Sequence, residues 1–454
     1  MTFLGASMLT GISAQVSPLQ VDTLKETKIP DQWDLQSCID YAKEQNITIR
    51  KNRITAASTQ IDVKTAKAAL FPSLSFSTGH QVVNRPYQET SSRVSGSEII
   101  SSNSKTSYNG NYGLNASWTL YNGNKRLKTI QQEKLNNQMA ELDVATSENN
   151  IQESIAQVYI QILYAAESVK VNENTLQVSI AQRDRGQELL NAGSIAKSDL
   201  AQLEAQVSTD RYQLVTAQAT LEDYKLQLKQ LLELDGENEM NIYLPALSDE
   251  NVLAPLPTKR DVYISALSFR PEIEASKLNV EASELGINIA KSSYFPTISL
   301  SAGIGTNHTS GSDFTFGEQV KNGWNNSIGL SVSVPIFNNR QTKSAVQKAK
   351  LQYETSMLSL LDEQKALYKT IESLWLDANS AQQRYAAANE KLKSTQISYE
   401  LISEQFNLGM KNTVELLTEK NNLLQAQQEQ LQAKYMAILN TQLLKFYQGD
   451  QLAL

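Results

Sequence analysis

The sequence ALFPSLSFS at residues 69–77 returns later in the chain as SYFPTISLS at residues 293–301. In both copies apolar residues alternate with serine or threonine, which is the period of two expected of a β-strand with one apolar and one polar face. A second alternating run follows each copy, and we predict four strands, at residues 71–84, 109–121, 295–306 and 327–337. Strands of roughly ten residues with this pattern are typical of membrane-spanning β-barrels.

The composition limits the classes of function. The 454 residues carry a formal charge of -7, which disfavours binding to nucleic-acid phosphates. There is one cysteine, Cys38, and the two histidines, His80 and His308, are far apart in the sequence. We therefore predict no catalytic residues, no metal site and no cofactor, and we do not expect an enzyme.

Two long segments are predicted to be helical. All ten prolines fall outside residues 124–235 and 338–448, so no proline interrupts a helix in either segment. Apolar residues recur at spacings of three and four, as in Leu200, Leu203 and Val207, which indicates a narrow coiled-coil seam. A first arm on the order of 100 Å long would have to pack against an antiparallel neighbour.

The chain is internally duplicated. Phe71 corresponds to Phe295 and Gly193 to Gly409, so each copy contains a helix, two strands and two long helices. We divide the chain into a first repeat at 15–235, a proline-containing connector at 236–260, a second repeat at 261–448 and a tail at 449–454. Residues 1–14 are interpreted as the remnant of a secretory signal, with a soluble tail as the alternative because the usual basic start is missing.

Each long hairpin turns at a glycine. Gly193 and Gly409 suit the left-handed backbone that ends many helices, and Ser198 or Thr413 could cap the helix that returns. Asp199 and Glu415 then fall in its first turn, where the helix dipole favours a carboxylate.

Taken together, these motifs resemble the TolC family of outer-membrane efflux and secretion channels. The duplicated Phe-Pro-x-[Leu/Ile]-Ser strands, the strand exits at 118–123 and 334–338, and the Gly-x(5)-[Asp/Glu]-Leu turns carry the resemblance, which covers about residues 33–448. It implies a mixed fold in a homotrimer, with a twelve-strand transmembrane β-barrel in the outer membrane and an all-α periplasmic tunnel of twelve helices. Residues 85–107 and 308–326 would be the outward loops.

The resemblance also implies a function and partners. The chain would be the exit duct of a tripartite efflux or type I secretion system, joined to a periplasmic adaptor protein and an inner-membrane pump of the resistance-nodulation-division, ABC or major-facilitator type. The sequence leaves small-molecule export and protein secretion both open. Residues expected to contact the adaptor are those at the hairpin turns: Gly193, Ser194, Lys197, Gly409 and Met410.

In the family, polar links near the turns close the periplasmic end of the tunnel. By resemblance, this gate would contain Asp199, Phe406, Lys411, Glu415 and Thr418. Phe406 lacks the hydroxyl of the family's tyrosine, Lys411 replaces an arginine fork, and Thr418 stands where an acidic residue is expected. We therefore expect a weak latch between Asp199 and Lys411, with Glu415 as a cation-favouring constriction. Helix capping alone is the alternative role for both carboxylates.

Aromatic residues near the strand ends are predicted to contact lipid at the membrane interfaces. These residues are Trp118, Tyr121, Phe295, Trp324 and Phe337. The competing interpretation of the whole chain is a coiled-coil scaffold protein whose strands form a soluble sheet.

Overall fold

The computed structural model describes residues 30–87, 91–95, 98–102, 105–235, 240–245, 252–310, 312 and 314–452. The proposed signal remnant at 1–14 lies outside these ranges. The predicted first repeat, the connector, the tail and both outward loops lie partly outside them.

The helices alternate with the strands in two successive sets. The helices are α1 (Leu35–Gln45), α2 (Ile47–Ala68), α3 (Lys125–Asn191), α4 (Lys197–Leu231), α5 (Lys259–Phe269), α6 (Pro271–Ser292), α7 (Phe316–Asn322), α8 (Gln341–Asn407) and α9 (Thr413–Gln448). The strands are β1 (Ser73–Asn84), β2 (Ser91–Ser95), β3 (Glu98–Ser102), β4 (Thr106–Asn122), β5 (Thr297–Thr309) and β6 (Asn325–Ser333). No helix in the described part of the chain combines the length and the apolar character needed to cross a lipid bilayer.

These elements form two compact units. We call residues 56–141 and 274–363 the strand unit, and the described parts of residues 1–55, 142–273 and 364–454 the helical unit. Helices α3 and α8 are each 67 residues long, and each contributes residues to both units.

The strand unit contains a four-stranded antiparallel sheet in the order β1-β4-β5-β6. Strand β6 ends at Ser333, earlier than the predicted 337, since Pro335 lacks the N–H that a ladder requires. The first predicted outward loop contains a separate hairpin of β2 and β3. At the other end of the sheet, Gly123 has φ +68 and joins β4 to α3.

The helical unit is organised around buried residues of α1, α3, α4, α5, α8 and α9. The largest fully buried side chains of this core, some of them from residues next to these helices or from the start of α6, are Trp33, Tyr159, Ile39, Ile155, Ile162, Leu163, Leu228, Leu232, Ile273 and Ile371. The Tyr159 hydroxyl donates to the backbone carbonyl of Tyr243 at 2.5 Å, so the buried phenol has a hydrogen-bond partner. This bond joins the segment before α5 to the middle of α3.

A buried arginine holds the junction of α5 and α6. The Arg270 guanidinium pairs with Glu272 at 2.7 Å and with Glu153 of α3 at 3.4 Å, and it stacks over the Tyr447 ring at 4.1 Å. Burial raises the pKa of Glu153, and the nearby Arg270 opposes that effect. The cluster ties α3 and α9 to the start of α6.

Candidate functional site

The four-stranded sheet has two chemically distinct faces. Successive rows across β1, β4, β5 and β6 are Ser73-Ser117-Ser301-Gly329 and Leu74-Ala116-Ala302-Ile328. The first type of row continues with serine, asparagine and glycine, and in the paired rows that the structure describes this face has no formally charged side chain. The second type of row places apolar side chains on the opposite face, and toward the far end of the sheet the same face carries the rows Thr78-Tyr112-Thr306 and His80-Gly110-His308.

The apolar face is open in the single chain. Ile328 is 78% exposed, and Leu74, Phe76, Leu330 and Val332 are also exposed. A continuous apolar patch of this kind marks a surface that contacts a membrane or another molecule. Hydroxyl and amide groups on the other face can instead form hydrogen bonds with water or with one another. The Ser73 and Ser117 hydroxyls, for example, are hydrogen-bonded at 2.8 Å.

The predicted interface aromatics lie near both ends of the sheet. Trp118 lies toward the end of β4 and donates its indole N–H to the Leu70 carbonyl at 2.7 Å. Tyr121 follows on β4, whereas Phe295 and Phe337 lie just outside β5 and β6, and Trp324 immediately precedes β6. Trp324, Phe295 and Phe337 are exposed. Their contact with lipid remains a prediction.

The two hairpin turns have the same backbone geometry. Gly193 has φ +73 and Gly409 has φ +74. After Gly193, the Ser194 N–H donates to the Leu189 carbonyl at 2.8 Å, and after Gly409, the Met410 N–H donates to the Gln405 carbonyl, also at 2.8 Å. These bonds close the C-termini of α3 and α8 as expected for a Schellman motif. Ser194, Lys197 and Met410 are exposed at the turns.

The helices that follow the turns begin at different caps from those predicted. Ala196, not Ser198, precedes α4, and the Asp199 carboxylate accepts a bond from the Ala196 N–H at 3.0 Å. Asn412, not Thr413, caps α9, and its side chain accepts from the Glu415 N–H at 2.9 Å. Both carboxylates therefore have the capping role that was the alternative to a gate role.

The gate residues are only partly brought together. Lys411 pairs with Glu415 at 2.6 Å, and the predicted Asp199–Lys411 link is not formed within the described chain. Asp199 instead bonds within its own helix start, whereas Lys411 is only four residues from Glu415. The Lys411 hydrogen bond is the largest cause of a pKa of Glu415 below its ordinary value of 4.5. Phe406 is buried, and Thr418 is exposed with its hydroxyl bonded to the Val414 carbonyl at 2.8 Å.

A buried polar cluster behind the turns was missed by the sequence analysis. Lys420 of α9 contacts both Asp210 of α4 and Ser179 of α3, and the Lys420 and Asp210 side chains are 3% and 1% exposed. Desolvation lowers the pKa of Lys420, and Asp210 opposes that shift. The cluster joins the first hairpin to the second helix of the other hairpin.

The sequence does contain a signal for this cluster. Asp210 occupies the seam position between Val207 and Leu214, where an apolar residue is expected, and Lys420 follows Leu416 by four residues on α9. Two seam positions of opposite charge on separate helices indicate a buried pair.

The two histidines are also closer than predicted. His80 of β1 and His308 of β5 lie on either side of Gly110 of β4 in one row of the sheet. Their separation in the sequence was therefore no reason to exclude a joint site.

The fold, in which long helical hairpins accompany a four-stranded sheet, is shared with proteins of known structure. A crystal structure of CusC, a protein described as forming a transmembrane channel, superposes on the chain with a TM-score of 0.77 at 19% identity and covers 92% of each chain.

Sequence comparison identifies the family. The family model for outer membrane efflux proteins matches residues 38–233 and 262–449, so the chain belongs to the outer membrane efflux protein family. This confirms the family and the outer-membrane location predicted from the sequence motifs.

Individual relatives are distant. The chain is 24% identical over 294 residues to the outer membrane efflux protein BepC of Brucella suis biovar 1 (strain 1330), covering 64% of this chain and 61% of BepC. It is also 24% identical over 294 residues to the outer membrane protein TolC of Escherichia coli (strain K12), covering 63% of this chain and 58% of TolC. These two alignments thus span about three fifths of each relative.

Proposed function

We propose that this protein is the outer-membrane exit duct of a tripartite efflux or type I secretion system. The observation that carries the proposal is the sheet with an exposed apolar face and an uncharged hydroxyl and amide face. The first face suits lipid, and the second suits a water-filled lumen. Family membership supports the same function.

The proposed duct is a homotrimer. Four strands are too few to enclose an aqueous lumen, and β1 and β6 are the two edges of the sheet. Three copies joined edge to edge would give twelve strands in a barrel and twelve helices in a tunnel. Exposed apolar residues on the long helices favour contacts with other copies, for example Val215, Leu226, Leu351, Leu358, Ile397 and Leu401.

The partners are a periplasmic adaptor and an inner-membrane pump of the resistance-nodulation-division, ABC or major-facilitator type. Both hairpin turns present exposed side chains, including Lys197 and Met410, for contact with the adaptor. In the described rows of the sheet the polar face carries no charged side chain that would select a particular cargo. Selection therefore belongs to the pump, for small molecules and proteins alike.

The periplasmic gate is proposed to depend on the charge balance at the second turn. Glu415 is ionised at neutral pH because Lys411 and the Asn412 N–H both favour its carboxylate form. Lys411 at the same time cancels much of the carboxylate's field. Glu415 would be the selective charge and Lys411 its moderator, with Asp199, Phe406 and Thr418 as the surrounding gate residues.

Planar-bilayer recordings test the duct and the gate separately. Purified protein should form detergent-dependent trimers that conduct ions, and a detergent-independent monomer without conductance would favour the coiled-coil scaffold. Lys411→Ala should increase cation selectivity at neutral pH, whereas Glu415→Gln should decrease it. Conducting variants with the parent's selectivity would refute the gate and leave the duct intact.

The charge of Glu415 determines how the cation selectivity should change with pH. In the parent protein the pKa of Glu415 lies below 4.5, so its negative charge is lost only as the pH falls through that lower value. In Lys411→Ala the pKa of Glu415 should return towards 4.5, because the main cause of its lowering is removed. Cation selectivity should therefore be lost at a higher pH in the variant than in the parent.

A further inference from the structure

The row His80-Gly110-His308 crosses three strands near the end of the sheet that leads to the β2-β3 hairpin. Gly110 of β4 pairs with His80 on β1 and with His308 on β5. Side chains in one row of a sheet project from the same face. Both imidazoles therefore lie on one face and are separated only by a residue without a side chain.

The glycine allows the two rings to approach each other. A Cβ atom placed on Gly110 would lie 2.6 Å from His308 Nδ1 and 3.3 Å from His80 Nδ1. The two Nδ1 atoms are consequently at most 5.9 Å apart, the sum of these distances. Any other residue at position 110 would have to displace the His308 ring.

Only some of the polar atoms around this point have hydrogen-bond partners. The Tyr108 hydroxyl and His80 Nδ1 share a hydrogen bond of 2.7 Å, and His80 Nε2 is 3.1 Å from the Thr78 hydroxyl. His308 Nδ1 is buried and has no hydrogen-bond partner in the described structure. A buried polar atom without a partner is unfavourable, and a bound ligand would remove that cost.

We propose that His80 and His308 together bind a divalent transition-metal ion, with Zn²⁺ as the representative. Imidazole nitrogens are preferred ligands of zinc, copper and nickel. Zn–N bonds of about 2.0–2.1 Å require the two nitrogens roughly 3.5 Å apart, which modest side-chain rotation can provide. Thr78, whose hydroxyl is 3.1 Å from His80 Nε2, is placed to orient that ring, and Tyr108, whose hydroxyl lies next to His80 Nδ1, is placed to add an oxygen ligand.

The surrounding aromatic rings suggest a second possible role for the two histidines, as members of an aromatic cluster. The experiment must distinguish this role from metal binding. Tyr112 contacts both imidazoles, with ring centroids 5.4 Å from His80 and 6.3 Å from His308, and Phe316 of α7 packs edge-on against His308 at 4.9 Å. An aromatic cluster at a membrane interface would have this packing without binding a metal. If the two histidines only take part in such a cluster, the protein should show no saturable metal binding.

The composition of the chain leaves few other side chains of the types that zinc prefers. His80 and His308 are the only histidines, and Cys38 is the only cysteine. Burial raises the pKa of the Cys38 thiol to about 12, so it remains protonated and is a poor ligand. Zn²⁺ that binds with imidazole ligands must therefore use one or both of these histidines.

The experiment is calorimetric titration of the full-length, detergent-solubilised protein with Zn²⁺. We expect one Zn²⁺ per chain, with loss of saturable binding in His80→Gln, in His308→Gln and in Gly110→Ala, which keeps both histidines but blocks their approach. Tyr108→Phe should bind about tenfold more weakly. Tyr112→Phe keeps the ring packing and should bind as the parent does.

A second measurement identifies the ligands and controls for folding. Cu²⁺ bound to the parent should show two coupled nitrogens in its electron paramagnetic resonance spectrum. Zn²⁺ should raise the melting temperature of the parent and of Tyr112→Phe, but not that of His80→Gln, His308→Gln or Gly110→Ala. Helical content by circular dichroism should be the same in all variants. No saturable binding by the folded parent, or binding retained without the histidines, would overturn the proposal whether or not the protein conducts.

Discussion

At the scale of single residues, the Lys420–Asp210 pair shows how a buried charge can define the alignment of helices. Removing two charges from water is costly, so such a pair is retained only where geometry and further hydrogen bonds compensate. Here Ser179 contacts both partners, and Gln206 donates to the other Asp210 oxygen at 2.8 Å. Sliding one helix along its neighbours would separate the charges inside the apolar seam.

Breaking this pair should be strongly destabilising. Lys420→Met leaves the Asp210 carboxylate buried without its cation, and we expect the free energy of unfolding to fall by about 3–5 kcal/mol. The matched control is Lys391→Met, which breaks an exposed pair with Glu429 on the same hairpin and should cost at most about 1 kcal/mol. Denaturant unfolding followed by circular dichroism measures both.

The double variant separates charge burial from packing. Lys420→Met combined with Asp210→Leu removes both charges and should recover most of the lost stability. A double variant no more stable than Lys420→Met alone would show that the pair itself, and not the stranded charge, supplies the stability.

At the scale of elements, the sequence predicted the long helices, the four main strands and the glycine turns because each depends on local chemistry. Alternating serine and apolar residues suffice for a strand, and a proline-free apolar seam suffices for a helix. The cap of α9 was placed wrongly because neighbouring polar residues compete for one position, and Asn412 caps this helix just before Thr413. The cap of α4 was placed wrongly because this helix begins after Ala196, which has no capping side chain. The proximity of His80 and His308 depends on strand register, which no local pattern contains.

Two glycines with nearly the same backbone should respond differently to substitution. Gly123 and Gly193 have φ of +68 and +73, so alanine at either position meets the left-handed penalty of about 1–2 kcal/mol. A Cβ at Gly193 would have no atom within 4 Å, whereas at Gly123 it would lie 2.7 Å from the Ser292 carbonyl oxygen. Gly123→Ala should therefore destabilise the protein more than Gly193→Ala.

Thermal melting of the two variants tests that expectation. Equal losses would mean that backbone conformation alone explains the glycine at the junction of β4 and α3. A larger loss for Gly123→Ala would show that the close approach of α6 to this junction also requires glycine.

At the scale of the whole molecule, the proposed duct depends on which face of the sheet is hydrated. Ser301 and Ala302 are neighbours on β5 and belong to opposite faces, in rows with Ser117 and Ala116 respectively. They therefore offer a matched pair of positions, one residue apart, for placing the same charge in the proposed lumen or against lipid.

Lysine at these two positions should have opposite consequences. Ser301→Lys would place an ammonium group in water, so trimers should form normally and pass anions more readily than the parent does. Ala302→Lys would place it against hydrocarbon at a cost of up to about 2–4 kcal/mol per chain near the bilayer centre, so fewer trimers should reach the membrane. Membrane fractionation and single-channel selectivity measure the two effects. Efficient assembly of Ala302→Lys together with failure of Ser301→Lys would mean that the apolar face is turned inward, and the duct proposed here would then have no hydrated path through the sheet.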